Sequence, residues 1–251
     1  MKKGIIQNVV FCLAALAFLL LVWQIAFTVT KNEYVIPSVW DCVTRAFSLL
    51  GESLFWVTFF STFLRCLIAF LLSFICAVIL ALIAYLLPWF SKFFTPIVSL
   101  MRSLPTMAIV LILFVLTTRS KAPVIVAFLT LFPMLYTSIY ASLCEVDTSL
   151  VQMSKVYQVP LKKQILSLYF PSVCPSLILN ASAALSHSLK VVVSAEILSY
   201  TYQSLGGLMQ EMSLIEEKPT LFALVLIVFV TGLIIEMLGN VLAGCLRRKL
   251  K

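Results

Sequence analysis

Charge is what this sequence has least of. Asp, Glu, Lys and Arg make up 11% of its 251 residues, and there is one histidine, His187. A soluble domain carries about 25% charged residues, so this chain cannot cover a water-facing surface of its size. With 62% hydrophobic residues and a mean hydropathy of +1.11, it reads as an integral membrane protein.

Other absences narrow the chemistry. There is no GxxxxGK[ST] loop, so the chain cannot harvest ATP by itself. There is no HExxH and no serine elbow, and the only carboxylate near the lone histidine in sequence is Glu196. No nucleophile and base, and no metal cage, can be assembled from this pattern, which argues against an enzyme. Seven cysteines, Cys12, Cys42, Cys66, Cys76, Cys144, Cys174 and Cys245, show no CxxC, no Cys/His ligand spacing and no local pairing. They read as small apolar helix residues. The formal net charge of +8 would suggest nucleic acid in a soluble protein. Here the basic residues flank apolar runs and cluster as RRKLK at 247–251, the pattern of membrane orientation.

About 20 apolar residues cross a bilayer as helix, and six segments qualify. The first is Val9 to Val29, 21 residues without a charge and without a small-x-small cleavage site. It reads as a retained signal anchor occupying residues 1–34, ahead of a core at 35–251. The second runs from about Ser53 to Phe90 with Arg65 as its only charge. It is too long for one simple crossing, so its first part either lies along the interface or extends the helix beyond it. The third is about Phe93 to Leu116, with Arg102 and Pro105 inside; the fourth is Pro123 to Cys144. The fifth starts near Tyr169 and reaches the 190s, and the sixth is about Thr220 to Leu246, with Glu236 inside. The expected fold is therefore an all-α polytopic membrane protein. Lysine and arginine counts favour both termini in the cytoplasm, with Lys92, Lys155, Lys162 and Lys163 on that side and EMSLIEE at 211–217 outside. Arg119 and Lys121 run against the rule.

Between the fourth and fifth spans, about 145–170, stands the one sizeable cytoplasmic feature. Leu150, Met153, Val156 and Tyr157 recur at helical spacing, so a short amphipathic helix should end near Gln158, and Pro160 can open a second. Spacing alone leaves two readings: a knob that docks on another subunit, or a solvated loop joining two spans.

This stretch resembles the coupling loop of ABC importer permeases of the binding-protein-dependent type, in which an E-A-A triplet is followed after three residues by glycine, then by a basic stretch and a hydrophobic-proline pair. Gln152-Met153-Ser154, Gln158, Lys162-Lys163 and Phe170-Pro171 occupy those positions without a gap. The resemblance extends over about 35–245, to the nitrate/sulfonate/taurine (NitT/TauT) branch. It rests on Val35-Ile36-Pro37-Ser38, Ser61 with Arg65, PIVSLMRSLPTMAIVLILFVL at 96–116, and VVVSAEIL followed by SLGGL.

The resemblance implies a type I ABC importer permease fold with a cytoplasmic coupling helix, in a bacterial inner membrane. It implies ATP-binding cassette ATPase subunits as partners, an extracytoplasmic substrate-binding protein and a permease homodimer. ATP and Mg would then sit on the ATPase, with no cofactor on this chain, and the solute would be small and polar, with anionic, nitrogen- or sulfur-containing solutes as candidates. Gln152, Met153, Ser154, Val156, Tyr157 and Gln158 become the ATPase-coupling residues. Two departures stand out: Gln152 replaces the family's glutamate, and Gln158 must adopt whatever backbone the glycine allowed.

Ionisable groups at membrane depth mark functional sites or snorkel at helix ends. Arg65 either snorkels or faces a pathway and pairs with Glu196, itself either a gate or a structural partner. His187 and Lys190, three residues apart, share a helix face; Lys190 could meet an anionic solute or neutralise Glu196. The small and hydroxylated run NASAALSHS at 180–188 suits close helix packing or a polar cavity wall. Arg65, His187, Lys190 and Glu196 thus form the candidate pathway, while Arg102 is expected to snorkel or to pair in the cytoplasm and Glu236 to make a structural hydrogen bond. Two other classes remain at this point: an ion-coupled secondary transporter and a non-transporting scaffold.

Overall fold

The structure, a computed structural model, describes residues 20–30 and 36–249, together with Ala14 and Phe18. All regular structure among these residues is helical: α1 Leu20–Thr30, α2 Val39–Leu49, α3 Ser53–Leu86, α4 Pro88–Ser103, α5 Thr106–Leu116, α6 Ala122–Cys144, α7 Thr148–Val156, α8 Leu161–Gln164, a π turn at Ile165–Tyr169, α9 Phe170–Ser199, α10 Leu205–Leu214 and α11 Lys218–Lys249. Four helices are long and apolar enough to cross a membrane, and α4 with α5 makes a fifth, broken candidate. These correspond to the second through sixth expected spans. Most of the first span, and with it most of the expected signal anchor, lies outside the described residues.

Two spans differ from expectation. The second is one continuous helix of 34 residues, about 51 Å long at 1.5 Å per residue against a hydrocarbon core of about 30 Å. The helical extension, and not an interfacial segment, is what SLFWVTFFSTFL forms. The third is not a straight crossing: α4 and α5 meet at 89°. Leu104 precedes a proline, which disfavours helical backbone, and both Leu104 (ψ 128°) and Pro105 (ψ 120°) are extended. Two successive extended residues turn the chain into a new direction.

The chain divides into two compact units, Met1–Trp56 with Leu208–Ile227, and Val57–Gly207 with Val228–Lys251. In the first, the Ser38 hydroxyl accepts from the Asp41 amide (3.1 Å) and caps α2. Trp23 donates to the Pro37 carbonyl (3.2 Å) and its ring lies 5.7 Å from that of Phe222. Arg45 bridges to Thr220 (2.9 Å) and Glu52 (3.0 Å). Buried Cys42 lies on the inner face of α2; burial and Asp41 push its thiol up to about 11, so it stays an unreactive protonated side chain.

In the second unit α6 packs most extensively on α9, and α5 touches both. Leu131, Leu135 and Ile139 of α6 and Leu189 and Val192 of α9 are buried. A column of fully buried alanines on α3, Ala69, Ala77, Ala81 and Ala84, leaves room for close neighbours, as membrane helices need when packing and not water expulsion drives association. The serine-rich run of α9 does the same toward α11. A Cβ on Gly232 would come 3.0 Å from Ser186 Oγ, and one on Gly239 would overlap Ser182.

Candidate functional site

Three places carry the residues singled out in the sequence, and the first is the segment between α6 and α9. Asp147 opens α7 by accepting from the Ser149 hydroxyl (2.7 Å) and amide (2.8 Å), bonds that hold its carboxyl below the usual range. This cap is intact above about pH 4 and is lost as pH falls through the lowered value. Leu150, Met153, Val156 and Tyr157 are all exposed, Val156 and Tyr157 at 78% and 75%. They form an apolar stripe that none of the described residues covers. Gln152 is exposed beside them, and Ser154 is buried and turned back onto the Val151 carbonyl (2.7 Å).

The helix stops where the glycine position of the coupling pattern falls. Gln158 has φ +50°, and the Val159 amide bonds the Ser154 carbonyl across it (2.9 Å). This is the left-handed C-terminal cap that glycine ordinarily fills. A non-glycine residue there is strained by about 1–2 kcal/mol, so Gln158→Gly is expected to stabilise the end of α7 by about 1 kcal/mol. The check is slower amide exchange at Tyr157 and Val159; faster exchange would contradict the cap. Beyond it, Pro160 starts α8 by accepting from the Lys163 (2.9 Å) and Gln164 (3.0 Å) amides. The π turn follows because Pro171 has no amide to give the Ser167 carbonyl, and Phe170 bonds five residues back to Ile165.

The second place is the Arg65–Glu196 pair. Glu196 is wholly buried, and Arg65 Nη1 donates to its Oε1 at 2.9 Å. Thr62, one turn before Arg65 on α3, donates to the same carboxylate (2.9 Å to Oε2) and accepts from the Leu205 amide (2.9 Å). The Gly206 amide donates to Oε2 (3.2 Å), and the Gly207 amide to Ser204 Oγ (2.9 Å). The first three amides of α10 are therefore satisfied by Thr62, Glu196 and Ser204. The negative carboxylate stands at the positive end of that helix. Gly206 is required by space: a Cβ would stand 2.6 Å from the Val193 carbonyl oxygen and 2.8 Å from the Ile197 amide. Thr62 and the α10 amides were not singled out in the sequence. The available signal was that Thr62 and Arg65, three apart, share the α3 face that an apolar-span glutamate needs.

The third place is a cavity of about 200 Å³ lined by residues including Arg102, Thr106, Thr130 and His187. His187 therefore reaches a cavity that Arg102 also lines. Lys190 does not neutralise Glu196: it is exposed, its Cε would lie 3.9 Å from a Cβ on Gly232, and it has no carboxylate partner among the described residues. The four pathway candidates thus divide, with Arg65 and Glu196 joined in a closed ion pair and His187 and Lys190 apart from it. Arg102 is exposed at the end of α4 and also lines this cavity. Glu236 is half-buried and has no hydrogen-bond partner among the described residues, so the expected structural bond is not found among them.

Within the second unit a capped, apolar-faced helix stands between two long apolar helices. Residues 69–250 match the family described as binding-protein-dependent transport system inner membrane component, and the chain belongs to that family. No curated protein matches it. Two solved structures of the MetNI methionine ABC transporter in inward-facing conformations are similar in fold. The native crystal form has 15% identity and a TM-score of 0.60, covering 82% of this chain and 96% of that one. The selenomethionine-soaked form has 17% identity and a TM-score of 0.57, covering 83% and 97%. As a member of this family the chain is an inner-membrane transport component and not an enzyme.

Proposed function

We propose that this permease moves a small polar solute by alternating access, driven by ATPase subunits that dock on α7 and the turn after it, residues 148–164. The carrying observation is the left-handed Gln158 at the loop-glycine position, with the uncovered Leu150, Met153, Val156 and Tyr157 stripe before it. Gln152, Met153, Ser154, Val156, Tyr157 and Gln158 make up the coupling surface, and ATP and Mg belong to the partner. A second permease copy and an extracytoplasmic binding protein complete the assembly. We place both termini and the 145–170 loop in the cytoplasm, and take residues 35–251 as the permease core.

The solute is small and anionic in this reading, as in the nitrate/sulfonate/taurine branch. The basic groups His187 and Lys190 lack acidic partners among the described residues, while the buried carboxylate of Glu196 is already neutralised by Arg65. The Arg65–Glu196 pair holds the helices beside the pathway and does not itself contact solute. A broken span such as α4–α5 also occurs in secondary transporters, so energy source is the discriminating test. Uptake into proteoliposomes containing the whole complex should require internal ATP and survive collapse of ion gradients, and Lys190→Ala should lower it about tenfold at unchanged ATPase assembly. Uptake driven by an ion gradient without ATP would overturn the reading.

A further inference from the structure

The cavity holding His187 has a composition that the coupling and latch residues do not explain. Three elements besides α9 meet there. The end of α4 contributes Met101 and Arg102, the start of α5 Thr106, and the middle of α6 Thr130 and Pro133. No Asp or Glu lines it. Arg102, exposed in the last turn of α4, reaches this cavity and has no carboxylate or hydrogen-bond partner among the described residues. Glu196 cannot supply one, because both its oxygens are committed to Arg65, Thr62 and the Gly206 amide.

The break between α4 and α5 adds a second, independent source of positive potential. The carbonyl of Pro105 accepts from Ala108 (3.0 Å) and Ile109 (3.2 Å), but the amides of Thr106 and Met107 find no partner among the described residues. Helix amides left open at an N-terminus, with the dipole behind them, favour an anion. Thr106 is both the first residue of α5 and part of the cavity wall. His187 stands about 26 Å from the start of α9 and about 18 Å from its end at 1.5 Å per residue, which puts the cavity well inside the span. The volume, about 200 Å³, lies below the ~300–1,000 Å³ of drug-sized sites and restricts the occupant to a small molecule.

We propose that this cavity is a transit site for the oxyanion group of the solute, a carboxylate, sulfonate or phosphonate, with Arg102 as counter-charge and His187 and the first-turn amides of α5 as directional donors. This rests on the permease reading above and adds to it a site and a selectivity residue, Arg102. Arg102 acts as a charge, so lysine should replace it in part and glutamine not at all.

The test uses Thr130→Cys in a background with the seven native cysteines replaced by alanine or serine, co-purified with its ATPase in phosphatidylcholine nanodiscs, where no anionic headgroup competes. Modification rates are compared for sulfonatoethyl and trimethylammonioethyl methanethiosulfonates. The sulfonate reagent is expected to react about tenfold or more faster than the cationic one after correction for intrinsic reactivity, as focused potentials allow. Free methanesulfonate should protect, whereas tetramethylammonium should not. Arg102→Gln should bring the ratio to about one and Arg102→Lys should keep most of it, a rescue that a merely structural arginine would not show. A ratio near one before any change at Arg102, or a ratio unmoved by Arg102→Gln, would overturn the proposal. ATPase co-purification is scored in the same preparation. Its presence with no charge preference removes the transit site alone, while its absence removes the importer reading and leaves the charge ratio to decide the cavity.

Discussion

Glu196→Ala should cost about 3–5 kcal/mol of stability, the usual penalty for removing one partner of a buried ion pair. The loss is large because several groups depend on one carboxylate. Arg65, with a side chain only 14% exposed, would keep its charge without a counter-ion, and the Gly206 amide and Thr62 hydroxyl would lose their acceptor. Gln at the same place keeps an oxygen for the amide and the hydroxyl, so Glu196→Gln should fall between the wild type and Ala. Gly206→Ala attacks the same joint from the other side. Its methyl would press on the backbone of Val193 and Ile197, which cannot swing away as a side chain could. Overpacking of this kind costs about 1–3 kcal/mol. The measurement is thermal unfolding of the detergent-purified complex, followed by monodispersity. If Glu196→Ala melted like the wild type, the pair would not be holding α3, α9 and the start of α10 together.

Changing Met153, Val156 and Tyr157 together to Asp should abolish co-purification of the ATPase while leaving the permease folded. The three side chains are exposed, so their replacement costs the isolated chain little. In the complex they are apolar anchors. Losing even about 1.4 kcal/mol at each corresponds to roughly a thousandfold weaker association. ATP hydrolysis by any residual complex should no longer respond to solute. Co-purification of the ATPase with all three changed would mean that the stripe is not the docking surface.

Much of this was legible because membrane physics leaves few options. Long apolar runs become helices, and their ends fell within a few residues of where charge and proline put them, as at Ala122–Cys144 against the expected Pro123 to Cys144. Gln158 was legible for a different reason. A loop glycine marks a backbone geometry, and the geometry persists at φ +50° although the residue has changed. The bend at Leu104–Pro105 was half legible: Pro105 marks an interruption, but 89° depends on two consecutive extended residues. Contacts that join distant segments were the least legible. Glu196 and Arg65 were paired as one of two readings, yet Thr62 and the Leu205 and Gly206 amides complete that site through space, and no spacing rule reaches from α3 to α10. Arg102 stands at a helix end, as its place near a span end implied, but the cavity beside it depends on the break between α4 and α5.

Cross-linking tests the central claim, that ATP energy enters through α7, most directly. A single cysteine at Tyr157, in the cysteine-free background, is treated with a short bifunctional maleimide in membranes containing the ATPase, beside a matched cysteine at Tyr202, which is 83% exposed in the turn after α9. The account predicts an ATPase adduct from Tyr157→Cys whose yield changes between nucleotide-free and ATP-bound states, and none from Tyr202→Cys. An adduct from Tyr202→Cys, or none from Tyr157→Cys in a complex that still assembles, would contradict it.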